Sequence, residues 1–428
     1  YYSFVWLALQ LFGESEIALR IPSLLFGLST WCALSIGASI LFGSQAGLCA
    51  FLIAALDPTL IHASADARPY GLAFLMLALT TVGFVRASLT GDATARYLWM
   101  IAGAGTMWAH YVFYPFVFGI VCSYAVIPSF RLRYHPGIFR RDLLIHLLLV
   151  GIAVPQLIDL LARRETLDWV SKGYTGGGIV LMTMPYWISI AMGAIAVGTF
   201  KKPKRSVYQA LWTCLMLGML GFLGLKILGT NIIHWRYVQG ALIAILLLSA
   251  GALAVLNRRR ASVSLIIALL LLATVLESNR RFYGTYTLLG FEDWRQATAT
   301  LDGELNGDTR TPVLFRSGFI EEDHPPLGFP VPATRAPLRS PGRMSPDWNV
   351  VSLTSSWGHP DRETYFVEHV LPQLDDSDRF YMLVRSGRYA SSVINWIEGM
   401  RPDVFVAQIR TFGQVVLVKF DRVPEPDS

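Results

Sequence analysis

Long apolar runs separated by short polar breaks fill the chain from Ile21 to Glu277. From Ser278 onward the pattern changes to charges, prolines and short apolar stretches. A helix needs roughly 20 apolar residues to cross the hydrocarbon core of a bilayer. Runs of that order lie at 20–42, 46–62, 69–88, 142–162, 179–199, 207–228, 236–256 and 261–277. The stretch from Tyr97 to Ile127 is too long for one crossing and is interrupted by Trp108, His110, Tyr111, Tyr114 and Pro115. It reads as two shorter helices, 97–109 and 111–128, meeting near His110. The expected fold is a multi-spanning α-helical membrane protein, with about ten spans over residues 1–277, followed by a small α/β soluble domain over 278–428.

The tail alternates helical and strand periods. Glu292–Leu305 reads as a helix with a capping acid near its start. Pro312–Arg316 and Phe380–Arg385 are short apolar runs suited to buried strands. Helical patterns cover Thr364–Leu374 and Ala390–Met400. Val404–Ile409 and Val415–Phe420 form an expected hairpin around Thr411-Phe412-Gly413. The segment 320–348, rich in Pro, Arg and Asp, reads as a loop. No Gly-rich phosphate loop and no nucleophile elbow occurs in the tail.

Composition agrees with this division. Of 428 residues, 53% are hydrophobic and only 15% charged, against about 25% charged in a soluble domain. The net charge of +6 does not point to nucleic acid, because the basic residues fall in short clusters between apolar runs. Cys32, Cys49, Cys122 and Cys214 all lie inside apolar runs, which argues against a disulfide framework and a zinc site. The chain opens on Tyr1 partway through a pattern, so a preceding segment is expected.

The basic clusters also orient the spans, since short cytoplasmic loops are enriched in Lys and Arg. Arg86 and Arg96 flank one loop; Arg131, Arg133, Arg140 and Arg141 crowd a second; Lys201, Lys202, Lys204 and Arg205 make a third; Arg258, Arg259 and Arg260 make a fourth. With the spans above, all four fall on one side, the expected cytoplasmic face. A single helix over 97–128 would split them. The opposite face receives loops 1–19, 62–68, 108–114, 163–178 and 229–236, together with the tail.

Ionisable groups near a membrane span are costly and suggest function. Asp66 and Arg68, in Ser64-Ala65-Asp66-Ala67-Arg68-Pro69-Tyr70, stand at the mouth between two spans. Asp66 suits an acid, a base or a cation ligand, and Arg68 a phosphate or carboxylate clamp. The pair equally suits a helix cap. Glu14, Glu16 and Arg20 precede the first complete span, where a solvated loop and an interfacial arginine also account for them. His110 and Tyr111 mark the break between two helices, which suits either a substrate contact or an aromatic belt. His234-Trp235-Arg236-Tyr237 opens another span, and Lys226 lies near the end of the span before it. Arg236 and Lys226 could bracket a lipid phosphate or serve as interfacial anchors. The loop 163–178 suits a lid or a plain flexible connection.

Taken in order, Tyr1-Tyr2, Leu11-Phe12-Gly13-Glu14-Ser15-Glu16 and Ala18-Leu19-Arg20-Ile21-Pro22-Ser23 resemble the early region of polyprenyl-phosphate-sugar-dependent membrane glycosyltransferases of the C-type fold. That group includes protein O-mannosyltransferases and lipid A aminoarabinose transferases. The resemblance continues at Asp66-Ala67-Arg68-Pro69-Tyr70, His110-Tyr111, Arg236-Tyr237 and Asp293-Trp294-Arg295, as in bacterial members with an appended extracytoplasmic domain. It covers most of the membrane region through short motifs whose order and shared face make the set specific.

The resemblance implies inverting sugar transfer outside the cytoplasm, from a polyprenyl-phosphate donor (undecaprenyl phosphate in a bacterium) to a lipid, glycan or protein acceptor. The implied place is the inner membrane. A carboxylate would activate the acceptor hydroxyl, and cations would stabilise the leaving phosphate. In this family the main catalytic aspartate lies in the first outer loop, upstream of the segment matching Tyr1. Of the acids present, Asp66 is the best placed, with Arg68 orienting it. Glu16, Arg20, Tyr70, His110, Tyr111, Lys226, His234, Arg236 and Tyr237 are the implied substrate contacts. No cofactor is implied, and a divalent cation is left open.

Two other functions fit parts of the pattern. A transporter or flippase for a lipid-linked sugar would use broken helices, but needs polar groups near the midplane and commonly repeat symmetry. Here the polar residues gather at one face. A non-catalytic envelope scaffold would use the tail to bind a partner.

Overall fold

A computed structural model describes residues 1–13, 16–66, 68–155, 202–227, 239–259, 294–316, 348–353, 366–374, 377–385, 387–413 and 415–423, with a few isolated residues between them. The chain forms two compact units, one comprising Tyr1–Gly13 and Ile17–Arg281, the other built on Phe282–Ser428.

The first unit is helical: α1 (Tyr2–Phe12), α2 (Glu16–Phe42), α3 (Ser44–Leu56), α4 (Pro58–Ala65), α5 (Tyr70–Thr90), α6 (Ala93–His110), α7 (Tyr114–Val126), α8 (Pro128–Arg133), α9 (Pro136–Gly151), α10 (Lys202–Ile227) and α11 (Ala241–Arg259). Among the described residues, three stretches are long and apolar enough to cross a membrane: Ile17–Phe42, Tyr70–Thr90 and Ala93–Val126. A fourth is added if the bent pair α3–α4 is one span. The chain is thus a multi-pass membrane protein.

Three expectations change in detail. The run 46–62 is not one straight helix: Asp57 adopts an extended backbone and caps α4 through Leu60 N–H, Pro58 opens α4, and the two helices are bent by 63°. The span expected at 142–162 starts at Pro136, behind the His135 cap, and its helix ends at Gly151. Helix α1, over Tyr2–Phe12, was not expected, because its 11 residues are too few for a span. The runs 179–199 and 261–277 lie outside the described residues.

The 34-residue stretch Ala93–Val126 is interrupted near its middle. His110 takes an extended backbone, and a 3-10 turn, Tyr111–Phe113, joins α6 to α7. His110 stacks on Tyr70 at the start of α5, with ring centroids 4.9 Å apart. After α7 and α8, Arg133 donates to the carbonyl of Leu89 at the far end of α5, at 2.9 Å. The chain therefore reverses at 110–113. At the other end the reversal from α5 to α6 uses Gly91 in the left-handed region (φ 73°), then Asp92, which caps α6 through Thr94 N–H.

Other contacts place the remaining helices between the same two ends. Lys204 donates to the carbonyl of Phe42, and Ser129 bonds Ser206, so the ends of α2, α8 and α10 meet at what we call the basic end. Arg96 and Asp142 join α6 to α9 there. Phe116 packs against Phe222 and Gly240 at the opposite end of α10 and the start of α11. Close approach relies on small residues: Cα of Cys214 would lie 3.1 Å from a Cβ at Gly119, where α7 crosses α10.

The second unit is a five-stranded sheet of order β2-β1-β3-β5-β4, from β1 (Pro312–Arg316), β2 (Asn349–Ser352), β3 (Arg379–Arg385), β4 (Val404–Phe412) and β5 (Val415–Arg422). β1 pairs in parallel with β2 and β3, whereas β3–β5 and β5–β4 are antiparallel. Both sheet faces are buried, which explains the unbroken apolar runs. Leu314, Met382 and Val418 share one face with α14 (Gly387–Met400), and Phe315, Leu383 and Leu417 the other with α12 (Trp294–Leu305). The pattern over Thr364–Leu374 appears as a π-helical turn, Phe366–Val370, leading into α13 (Leu371–Leu374). Strand β2 escaped the sequence reading because its four residues carry too little pattern.

Candidate functional site

Helix α4 ends at Asp66, whose N–H donates to the carbonyl of His62 at 2.8 Å and whose backbone turns extended. Two residues on, Arg68 N–H donates to the carbonyl of Asp66 at 2.7 Å. This tight turn brings one carboxylate oxygen of Asp66 to 3.5 Å from Nε of Arg68 and 4.0 Å from Nε2 of His62. All three side chains are partly open, at 26% for Asp66, 41% for Arg68 and 30% for His62. An ion pair this exposed adds little stability, so its polar groups remain accessible to a ligand.

Helix α2 holds this turn from the side. Arg20 donates to the carbonyl of Ala65 at 3.1 Å, placing a cation at the C-terminus of α4. Ser23 donates to the carbonyl of Arg68 at 3.3 Å and shares a hydrogen bond of 2.7 Å with the Tyr1 hydroxyl. A Cβ at Gly27 would lie 1.9 Å from Oγ of Ser64, so only glycine lets α2 lie this close to α4. Tyr70 begins α5 directly after the turn and carries the His110 ring, which also stacks on Phe113 at 5.3 Å. Tyr111 follows at 6.0 Å.

The structure therefore gathers Arg20, Asp66, Arg68, Tyr70, His110 and Tyr111 at the end of the bundle opposite the basic loops. Both readings of Asp66–Arg68 retain a basis, since the pair forms and Asp66 also terminates a helix. Glu16 opens α2 and Lys226 lies in the last turn of α10; their side chains lie outside the described residues, as do His234, Arg236, Tyr237 and the loop 163–178. His62 was missed in sequence. Its spacing of four from Asp66 was the available signal, but it carries meaning only once α4 is known to be a helix. Among the described residues no group of three or more His, Cys, Asp or Glu is arranged to hold a metal ion.

Residues 1–158 match the family described as dolichyl-phosphate-mannose-protein mannosyltransferase. No curated protein matches the chain by sequence. Two solved structures of ArnT from Cupriavidus metallidurans share its fold. One is bound to undecaprenyl phosphate, with 14% identity and a TM-score of 0.56. The other is in the apo state, with 13% identity and a TM-score of 0.56. Each alignment covers 97% of this chain and 86% of the other. Over its first 158 residues the chain thus carries the pattern of the dolichyl-phosphate-mannose-protein mannosyltransferases, on the C-type membrane fold of ArnT.

Proposed function

We propose that the chain is a glycosyltransferase that moves a sugar from a polyprenyl-phosphate donor to a lipid, glycan or protein acceptor. The observation that carries this reading is the Asp66–Arg68 turn. It lies within the family-matched residues, with Arg20, Tyr70 and His110 gathered at the same end. The ArnT structure bound to undecaprenyl phosphate favours that lipid as the carrier. Basic loops at the other end support a cytoplasmic position for that end, and the proposed reaction then lies on the extracytoplasmic face of the inner membrane.

In the proposed step, the acceptor hydroxyl oxygen attacks the anomeric carbon. The bond from that carbon to the phosphate oxygen breaks, and its electron pair leaves with the polyprenyl phosphate. The configuration inverts. Asp66 takes the hydroxyl proton, or holds Arg68 in place for a carboxylate that does. Arg68 and Arg20 offset the charge on the departing phosphate. Lys226, His234, Arg236 and Tyr237 are assigned to the lipid phosphate, and Tyr70, His110, Tyr111 and Glu16 to the sugar or its carrier.

The test is transfer from a radiolabelled polyprenyl-phosphate sugar by the purified full-length protein. Loss of a general base lowers rates about 10²-fold or more, and Asp66→Asn is expected to reach that size. Arg68→Ala should also lower the rate. Wild-type rates in both variants would refute the site assignment. If lipid binding is retained but no polyprenyl-phosphate sugar supports transfer, the reaction itself is refuted.

A further inference from the structure

A second feature lies at the opposite end of the bundle. Val126, Ile127, Pro128, Gln209, Trp212 and Thr213 line an open, mainly apolar groove of about 330 Å3 between the α7–α8 junction and α10. The Ser129–Ser206 hydrogen bond, 2.8 Å long, ties α8 to α10 beside it.

Two cations border this corner. Arg205 is exposed and lies one turn before Gln209, so positions 205, 209, 212 and 213 fall on one face of α10. Arg131 folds back to the carbonyls of Tyr124 and Ala125, the last turn of α7, directly before Val126 of the groove. The apolar surface continues away from these cations. On α10, Met216 and Leu220 are exposed, and on α7, Phe118 is exposed. The groove therefore has a basic rim, an indole in its lining and an exposed apolar path leading away from the rim along α10.

We propose that this groove is a binding site for an anionic phospholipid of the leaflet at the basic end. Its phosphate would lie between Arg131 and Arg205, and one acyl chain would lie over Trp212 toward Met216 and Leu220. Charge complementarity favours an anionic over a zwitterionic headgroup, since cations near a bilayer surface attract anionic lipids. Gln209 and Thr213 offer hydrogen bonds to the ester region. This site is remote from the Asp66 turn and does not depend on the proposed reaction.

The test uses the full-length protein in phosphatidylcholine nanodiscs. A minor fraction of the lipid is replaced by chain-brominated phosphatidylglycerol or, at equal mole fraction, by chain-brominated phosphatidylcholine. Bromine quenches tryptophan on contact. The expected result is stronger quenching by the phosphatidylglycerol, with the excess lost in Trp212→Phe and in Thr213→Phe, which fills the groove. Arg131→Gln with Arg205→Gln should bring the two lipids to equal quenching. Arg205→Gln alone, on an exposed side chain, serves if removal of Arg131 unfolds the end of α7. Equal quenching by both lipids in the wild type would overturn the proposal. So would an excess that persists in Trp212→Phe or survives loss of the cations.

Discussion

At the scale of single residues, Asp142 shows how a charge is held inside the helical unit. It is fully buried and accepts from Nε and Nη2 of Arg96 at 2.5 and 2.9 Å, and from the Tyr134 hydroxyl at 2.6 Å. Tyr134 in turn accepts from the Trp99 indole at 3.2 Å. Removing one partner of a buried ion pair costs about 3–5 kcal/mol, because the other charge is left uncompensated. Asp142→Ala should therefore lower the melting temperature of the purified protein strongly, whereas Arg86→Ala, which removes only the exposed pair with Asp92 and leaves the α6 cap in place, should change it little. In the second unit, Arg401 is buried and donates from two nitrogens to Asp403, at 2.8 and 2.9 Å. That bond holds the Asp403 carboxyl below the usual carboxylate range, at about 2. A depressed folded-state value means the pair stabilises above the unfolded value, about 3.9, and that contribution fades as pH falls through about 2. Hydrogen exchange on the full-length protein, corrected for intrinsic rates, should show protection of β4 and β5 falling between about pH 4 and pH 2. Asp403→Asn should show reduced protection already at neutral pH.

At the scale of elements, the turn that carries Asp66 depends on how closely α2 and α4 approach. Gly27 faces Ser64, whose Cα would lie 3.2 Å from an added Cβ, so side-chain rotation alone cannot make room. Overpacking of this kind costs about 1–3 kcal/mol. Gly27→Ala should reduce transfer more than it reduces melting temperature, because the displaced helix is the one that ends at Asp66. Transfer rates at wild-type level in a stably folded Gly27→Ala protein would show that the packing does not position the turn. Capping residues at Gly91-Asp92 and Asp57-Pro58 mark two element boundaries that the apolar runs pass over. Near Tyr97 the sequence lacks such a cap. Helix α6 therefore starts four residues earlier than its apolar run suggests, behind Asp92.

At the scale of the whole molecule, three clusters of basic residues meet at one end of the helical unit. Arg133 reaches Leu89, Arg96 pairs with Asp142, and Lys204 reaches Phe42. The Asp66 turn lies at the other end, beside Tyr70 and His110. Single cysteines replacing Asp66 and the exposed Arg140 should react with a membrane-impermeant thiol reagent from opposite sides of sealed vesicles. Labelling of both from the same side would refute the proposed topology. That arrangement requires the chain to reverse at His110, and the interrupted apolar run over 97–127 had already suggested the break.

The sequence by itself determined the membrane class, the apolar runs, the reversal near His110 and the alternation of helix and strand in the tail. These follow from local periodicity and from the cost of placing charge in hydrocarbon, which every residue registers independently of its neighbours in space. It also marked Asp66 and Arg68, since charges flanked by spans stand out. Only the tertiary structure decided that α3 and α4 bend at Asp57, that His62 faces Asp66, that Asp142 is a buried partner and that Trp212 lines a groove. Each of these depends on which helix faces are brought together, and that choice is set by packing between residues far apart in the chain.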